Sequence, residues 1–401
     1  MGSFLLIIIY IAFISLGLPD SLIGSAWPIM HSELAVPLSY AGIITMIIAG
    51  CTILSSLSSN YLTNKLGTGL ITALSVLTTA MALYGFSISN TFIELCLWAV
   101  PYGLGAGAVD AALNNYAALY FSSKHMNWLH CFWGLGASLS PYIMGFYLTN
   151  NLNWSGGYRA VFLIQVALVI VLFLSLPLWK TEVSDSTVKK SREDSYLSLK
   201  DTLKIKGLKY MLITFICYCA LEQTVALWST TYLVAAKGIS PIIGAKFTSL
   251  FFLGITAGRF ISGLFSDKLG DKKLIQMGSL LTIVGILFML FANTVEFMTL
   301  AGLLIIGLGC APIYPSIIHA TPDNFGKGNS QAVIGVQMAS AYIGSTFMPP
   351  LFGLFSEILT IRILPIYLLF FALLMLFSFK KVNQIVKEKI IEEELADQVK
   401  L

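Results

Sequence analysis

The sequence predicts an all-α polytopic membrane protein, with twelve transmembrane helices in two pseudo-symmetric bundles of six. Three observations lead to this fold class: the composition, the spacing of apolar runs and an internal repeat. Hydrophobic residues make up 57% of the chain and charged residues only 11%, with a mean hydropathy of +0.82. Soluble domains carry about 25% charged residues. The composition therefore excludes an ordinary soluble globular domain.

Apolar runs of about 20 residues, the length that crosses a bilayer as a helix, recur along the whole chain. A polar stretch separates the sixth run from the seventh, so we predict an N-terminal bundle over 1–180, a cytoplasmic linker over 181–207, a C-terminal bundle over 208–380 and a cytoplasmic tail over 381–401. The twelve predicted helices span 4–30, 39–60, 68–90, 93–121, 126–150, 158–179, 208–235, 242–265, 273–292, 296–319, 329–355 and 362–380.

An internal repeat of about 202 residues relates the two halves. Asp20 and Glu222 each lie inside an apolar run and are 202 residues apart, and the loop residues 64–67 and 267–270 are offset by 203. An ionisable side chain within the hydrocarbon is costly and usually functional. Repeated halves with polar groups near the membrane centre are typical of transporters that work by alternating access. A pseudo-two-fold axis normal to the membrane is expected to relate Asp20 to Glu222.

Basic residues predict the orientation in the membrane. If both termini are cytoplasmic, 19 of the 24 lysines and arginines fall in cytoplasmic segments, as the positive-inside rule requires. We therefore expect a multi-pass protein of the cell membrane whose environment is the lipid bilayer. The net charge of +4 follows from this bias and indicates no nucleic-acid partner.

The sequence contains no pattern that predicts an enzyme. There is no glycine-rich phosphate loop after a strand, and no His/Cys set has metal-ligand spacing. The six cysteines lie in predicted helices and are expected to be small packing residues. We predict no catalytic residue, no metal and no cofactor.

The loop after the eighth predicted helix reads GLFSDKLGDKK. It resembles the G-x-x-x-D-[RK]-x-G-x-[RK]-[RK] loop of the major facilitator superfamily, which implies a carrier of twelve helices. The first copy of the loop has Asn64 in place of the acid, so a charged latch is expected mainly in the second half. The resemblance, together with helix-bending prolines in helices five and eleven, implies gating roles for Gly263, Asp267, Lys268, Gly270, Pro141 and Pro349.

A narrower resemblance is to fucose:proton symporters. The segment GLGAGAVDAALNNY is similar to their fourth helix, in which an acid is followed four residues later by Asn, here Asp110 and Asn114. Asp20 in LPDSLIG matches the acid of their first helix. The segment MNWLHCFWGLGA matches their fifth helix, with His130 where that family has Gln and Trp133 where it has Asn.

These patterns indicate candidate site residues, each of which could instead be a packing residue. Acids in an apolar setting can carry protons, so the candidates for proton coupling are Asp110, Asp20 and Glu222. The candidates for substrate binding are Asp20, Asn114, Asn115, His130, Trp133, Glu222, Gln223 and Trp228.

Three further expectations concern local structure. Pro19 is expected to break the first helix next to Asp20. Arg259, about two turns before Asp267, is expected to extend toward the interface or to pair with the cytoplasmic acidic loop. His319 near the end of helix ten is expected to have a structural role.

Together these features predict a secondary active transporter working by alternating access, with protons as the coupling ion and a sugar or a similar small polar solute as substrate. The alternatives are proton-coupled efflux of amphipathic compounds and, less favoured, a transporter-like receptor or a membrane enzyme. We expect a monomer.

Overall fold

A computed structural model describes residues 2–20, 22–36, 40–149, 153–181, 197–239, 241–291 and 296–400. Most of the predicted linker, residues 182–196, lies outside the described residues. Helices account for nearly all of the structure, and no strand occurs in the described ranges. An α-helix pairs the backbone N–H and C=O groups of its interior within its own segment, as a lipid environment demands.

The first half of the chain forms seven helices. Gly2–Asp20 (α1) and Leu22–Glu33 (α2) occupy the first predicted span, and Pro19 lies inside α1, which stays helical through Asp20. The expected break next to Asp20 stays a prediction, because Ser21, between the two helices, lies outside the described residues. The remaining five helices are Ala41–Leu66 (α3), Thr68–Ile88 (α4), Phe92–Tyr120 (α5), Ser123–Thr149 (α6) and Asn153–Thr181 (α7).

The second half begins with the short helix Leu199–Thr202 (α8) and continues with eight more. The tenth predicted span is divided into α12 and α13, and the last helix continues through the predicted tail. The bounds are Leu208–Lys237 (α9), Pro241–Leu269 (α10), Asp271–Phe291 (α11), Glu296–Cys310 (α12), Ile313–His319 (α13), Thr321–Phe325 (α14), Ser330–Ile358 (α15) and Leu364–Lys400 (α16).

Ten stretches of the described residues are long and apolar enough to cross a membrane. Two further helices, α6 and α15, have 27 and 29 residues, which is also the length of a span at about 1.5 Å per residue. Together they account for the twelve predicted spans, and the all-α polytopic fold class is confirmed. Hydropathy succeeds here because a bilayer leaves the backbone few other choices.

The chain folds as two compact units. One consists of residues 1–117 and 128–196, and the other of 118–127 and 197–401. A short segment at the α5–α6 turn therefore belongs to the second unit, although α5 and α6 otherwise belong to the first.

Glycines allow close helix crossings inside the first unit. A Cβ atom on Gly103 would lie 2.3 Å from the Ile48 carbonyl oxygen of α3, and one on Gly105 would lie 2.7 Å from the Ser75 carbonyl oxygen of α4. The Thr52 hydroxyl donates to the carbonyl oxygen of Gly103 at 3.2 Å. Because lipid gives helices little hydrophobic reason to associate, such close backbone approach and interhelical hydrogen bonds hold them together.

The second unit repeats this arrangement 204 residues later. A Cβ atom on Gly307 would lie 2.1 Å from the Phe251 carbonyl oxygen of α10, and one on Gly309 would lie 2.7 Å from the Gly278 carbonyl oxygen of α11. The sequence GLG occurs at 103–105 and again at 307–309. The internal repeat is therefore present in the packing of each unit as well as in the sequence.

The turn between α3 and α4 in the first unit has the same form as the turn between α10 and α11 in the second. Gly67 and Gly270 have φ of 80° and 74°, values that favour glycine over any residue with a Cβ atom. Their N–H groups donate to the carbonyl oxygens of Thr63 and Ser266, both at 2.8 Å. The turns at these two loops need only one residue outside the helices.

We predict that Gly103→Ala and Gly307→Ala lower the apparent melting temperature of the purified protein, because each added methyl group must displace a backbone carbonyl. Gly50→Ala in α3 is the matched control, since a methyl group added there would have no atom of a neighbouring element within 4 Å. Alanine is also the better helix former, so this control should be neutral or stabilising. Thermal unfolding followed by tryptophan fluorescence measures the effect, and equal melting temperatures for all three variants would contradict it.

Candidate functional site

The site in the first unit is built at a crossing of α1 and α6. A Cβ atom on Gly17 would lie 2.0 Å from the carbonyl oxygen of Trp133, and one on Gly136 would lie 2.0 Å from the carbonyl oxygen of Ile14. The two backbones therefore touch, which no larger residue at these positions would permit. This contact brings Asp20, less than one turn after Gly17, next to the indole of Trp133.

Asp20 accepts two hydrogen bonds from neutral donors. The Tyr102 hydroxyl donates to Oδ1 at 3.1 Å, and the Trp133 indole Nε1–H donates to Oδ2 at 3.1 Å. Tyr102 on α5 is buried, whereas the Asp20 side chain is exposed. Among the described residues, no lysine or arginine forms an ion pair with Asp20. The carboxylate is thus oriented by both oxygens while remaining accessible.

A second polar group joins α5 to α6. The side-chain amide of Asn114 donates to Oδ1 of Asp110 at 2.7 Å, and Nε2 of His130 lies 3.1 Å from Oδ1 of Asn114. An amide oxygen only accepts, so His130 donates from Nε2. Asn114 and His130 are 0% and 6% exposed. The result is a continuous chain of hydrogen bonds from a carboxylate through an amide to an imidazole.

The helical period explains why α6 serves both groups. His130 and Trp133 are three residues apart and therefore lie on one side of the helix, with His130 directed to α5 and Trp133 to the Asp20 carboxylate. The ring of Phe13 on α1 packs edge-on against His130 at 5.5 Å. Five of the site residues predicted from the sequence therefore lie on α6 or next to it in the first unit: Asp20, Asp110, Asn114, His130 and Trp133. Asn115 is buried one residue further along α5.

The second unit contains a different kind of polar pair. Nη2 of Arg259 on α10 lies 3.6 Å from Oε1 of Glu222 on α9, with the two side chains 8% and 14% exposed. Tyr218, one turn before Glu222, and Cys310 lie near both charges and are buried. The expectation that Arg259 pairs with the acidic loop near Asp267 was therefore wrong. Its partner is a carboxylate inside the apolar run, where a charge requires neutralisation.

Two other predicted substrate contacts have different surroundings. The Trp228 indole donates to the carbonyl oxygen of Pro349 at 2.9 Å, and its ring packs on Phe352 with centroids 5.4 Å apart. Trp228 thus forms a packing contact between α9 and α15. Gln223, next to Glu222, has an exposed side chain.

The predicted gating residues divide between loops and helices. Asp267 and Lys268 are exposed near the end of α10 and Gly270 forms the turn, while Gly263 is buried within α10. Pro141 and Pro349 lie inside α6 and α15 without ending them. In the first copy of the loop, the Asn64 amide donates to Oδ1 of Asn60 at 3.1 Å.

Sequence reasoning missed two features of this site. Tyr102 is the buried donor to Asp20, and the pairing of Arg259 with Glu222 joins α9 to α10. Neither position has a pattern that predicts its partner, because both contacts depend on the rotation of neighbouring helices. The signal that could have helped is the GLG repeat, since Tyr102 immediately precedes its first copy.

Two units of membrane-spanning helices, related by an internal repeat and each containing ionisable groups inside apolar runs, define a polytopic membrane transport protein. The sequence model of the Major Facilitator Superfamily matches residues 9–248 and 211–398. The chain belongs to this superfamily of secondary transporters.

Proteins of similar sequence or structure match most of the chain. A probable nitrate/nitrite antiporter of Thermus thermophilus is 26% identical over 333 residues, which is 74% of this chain and 72% of that protein. The human organic anion transporter MFSD10 has a similar structure with a TM-score of 0.75 at 14% identity, covering 94% of this chain and 98% of the other. The fucose:proton symporter of E. coli has a TM-score of 0.74 at 15% identity, covering 94% and 97%. The resemblance to the superfamily and to the fucose:proton symporter stated from the sequence is confirmed.

The hydrogen bond between His130 and Asn114 predicts that substitutions of these two residues have non-additive effects on the free energy of unfolding. Residues in direct contact show non-additive effects of about 0.5–3 kcal/mol in a double-mutant cycle. We expect Asn114→Ala and His130→Ala to destabilise the protein by less in combination than the sum of the single changes. Pairing Asn114→Ala with Trp154→Phe, a change in a core residue outside this chain of hydrogen bonds, is the control and should be additive. Additivity of the first pair would show that the two side chains do not interact.

Proposed function

We propose that this chain is a proton-coupled symporter for a sugar or a similar small polar solute. The observation that carries the proposal is the connected series Asp110, Asn114 and His130. A group that can gain and lose a proton is joined there, through an amide, to a second titratable ring. Such a series can link protonation of a carboxylate to the arrangement of hydrogen-bonding groups that a solute would contact.

The two carboxylates of the first unit suit proton transfer because the hydrogen bonds described for them come from neutral groups. A buried lysine or arginine that loses its carboxylate partner is strongly unfavourable. Protonation of Asp20 would remove its negative charge without this cost, because the hydrogen bonds described for Asp20 come from neutral groups. We assign proton coupling to Asp110, which is joined through Asn114 to His130, with Asp20 and Glu222 as further candidates. Symport also agrees with the fold shared with a fucose:proton symporter.

The hydrogen-bonding groups around α6 suit a solute rich in hydroxyl groups. Asn114 and His130 offer an amide and an imidazole, while the indole of Trp133 has an apolar face on which a sugar ring can pack. We assign Asn114, His130 and Trp133 to solute contact, with Asp20, Asn115, Gln223, Glu222 and Trp228 as further candidates. Transport would require both units to alternate between two states, with bending at Pro141 and Pro349 and gating at the loop around Asp267.

The environment proposed for the carrier follows from its basic residues. Most lysines and arginines of this multi-pass membrane protein lie in alternate loops, so we infer that both termini are in the cytoplasm. We propose a monomer, since one chain contains both repeats of the fold.

Replacing the proposed proton carrier separates coupling from binding. Asp110→Asn is expected to abolish accumulation driven by a proton gradient in proteoliposomes, because the amide cannot release a proton. Counterflow of labelled solute should persist, since exchange needs no net deprotonation. Asp201→Asn is the control, as Asp201 lies exposed on α8 and pairs with Lys204 at 2.8 Å, and it should accumulate solute like the unmodified protein. Accumulation by Asp110→Asn at the control level would exclude Asp110 as the carrier.

A second candidate function is transport of a small organic or inorganic anion. The observation that favours it is the buried Arg259 beside Glu222. Protonation of Glu222 would remove its attraction for the guanidinium and allow a solute anion to bind Arg259, so that the proton and the anion would bind together. Two similar proteins are named a probable nitrate/nitrite antiporter and an organic anion transporter.

Substitution of Arg259 distinguishes the two candidate substrates. In proteoliposomes tested with a panel of neutral sugars, sugar acids, lactate and nitrate, Arg259→Gln should reduce anion transport by at least about tenfold, as expected for loss of a charge-assisted bond of about 1.5–3 kcal/mol. Arg159→Gln, at an exposed position of α7, is the control. If a neutral sugar is transported and anions are not, the anion proposal fails. Unchanged anion transport by Arg259→Gln would also contradict it.

A further inference from the structure

The segment 118–127 is held in the second unit by a cluster of polar groups that the solute site does not use. Oδ2 of Asp271, the first residue of α11, lies 2.5 Å from Nδ1 of His319, the last residue of α13. Nε2 of the same ring lies 2.8 Å from the carbonyl oxygen of Phe121, and the Ser123 hydroxyl donates to Oδ1 of Asp271 at 2.5 Å. His319 and Asp271 are 18% and 12% exposed.

The chemistry of these partners determines how many protons the cluster holds. A backbone carbonyl oxygen only accepts, so Nε2 of His319 must carry a hydrogen. The contact between Nδ1 and the Asp271 carboxyl needs a second hydrogen, either on Nδ1 or on the carboxyl oxygen. The pair therefore holds two protons, one more than a neutral histidine beside an ionised aspartate. Without the additional proton, two lone pairs would face each other across one of these short contacts.

We propose that Asp271 and His319 form a proton-binding site that secures the segment 118–127 to the second unit. Loss of the additional proton weakens one of the two contacts of the ring and favours release of the segment. Because α5 ends and α6 begins within this segment, its release would free the ends of both helices to move, as alternation between two states would require. The proton concentration on the side of these loops would thereby control how often the carrier opens there.

Other titratable and charged groups lie near the cluster, and a test must distinguish their effect from that of Asp271 and His319. Asp323 follows His319 closely in sequence and adds to the negative potential at the ring. At the start of α6, the ring of His125 lies 6.1 Å from that of Phe121, and the charges of Lys124 and Asp267 act on His125. His125 is therefore the one neighbouring imidazole whose titration must be distinguished from that of the proposed site.

The proton-binding site differs from the proposed solute site in place and in use. It lies where α11 begins and α13 ends, whereas the solute contacts surround α6 at His130 and Trp133. A gate that binds a proton does not require that the solute be a sugar, an anion or any other class. The proposal therefore stands or fails without reference to the identity of the solute.

The test is hydrogen–deuterium exchange of the backbone amides of residues 118–127 in the full-length protein in lipid nanodiscs, without added solute, between pH 5.5 and 8.5. Comparing variants with the unmodified protein at each pH removes the intrinsic pH dependence of exchange. His319→Gln cannot titrate, so this segment should exchange about tenfold faster than in the unmodified protein at pH 5.5 and at nearly the same rate at pH 8.5. The secured state of the segment binds one more proton than the released state. The equilibrium between them therefore shifts toward release by up to about tenfold for each unit by which the pH increases.

Two further variants complete the design. Asp271→Asn should lose the pH dependence in the same way, whereas His125→Gln should retain that of the unmodified protein. A constant ratio between His319→Gln and the unmodified protein at all pH values would overturn the proposal. Should both cluster variants fail to fold, the unmodified protein decides alone: exchange of 118–127 relative to an α4 segment must rise about tenfold as the pH increases, and a constant ratio would refute the proposed site.

Discussion

Close contact between helix backbones is the constraint on which the rest of this structure depends. In lipid the hydrophobic effect does not drive one helix onto another, so packing relies on glycines and on hydrogen bonds to carbonyl oxygens. Gly103 and Gly307 provide these contacts at equivalent places in the two units. Gly17 and Gly136 provide them between α1 and α6. Polar side chains can then meet across helices because the helix axes lie so near each other.

The two units use this close packing to accommodate ionisable groups in different ways. In the first unit, Asp20 and Asp110 receive hydrogen bonds from an indole, a phenol and an amide. In the second, Glu222 lies beside Arg259. Neutral donors allow a carboxylate to change its protonation state at modest cost, whereas an ion pair resists such a change unless another anion replaces the carboxylate. The repeated fold thus accommodates carboxylates bonded to neutral donors in one unit and an ion pair in the other.

Most of the fold could be predicted from the sequence because hydropathy and helix length are local properties. Most of the twelve spans were predicted close to their observed bounds, the last helix being the clearest exception because it continues to Lys400, and the repeat was visible in Asp20 and Glu222. The contact of Asp110 with Asn114 also follows from sequence, since residues four apart meet on a helix. The predicted break next to Asp20 stays a prediction, because α1 ends at Asp20 and the following position, Ser21, lies outside the described residues.

Contacts between distant residues could not be predicted in the same way. Tyr102 forms a hydrogen bond with Asp20, 82 residues away in the sequence, and His319 forms one with Asp271, 48 residues away. Each depends on how two helices are rotated about their axes, which a single sequence does not encode in a readable pattern. Arg259 illustrates the consequence: its nearest acid in sequence is Asp267, but its partner in the structure is Glu222.

The most direct test of coupled transport is the pH of a weakly buffered suspension of proteoliposomes to which candidate solutes are added one at a time. Proton symport predicts that a transported solute raises the external pH as protons enter with it. The change should disappear when a proton ionophore is present or when Asp110→Asn replaces the unmodified protein. Solute accumulation that proceeds without any proton movement, and that an ionophore leaves unchanged, would contradict proton coupling.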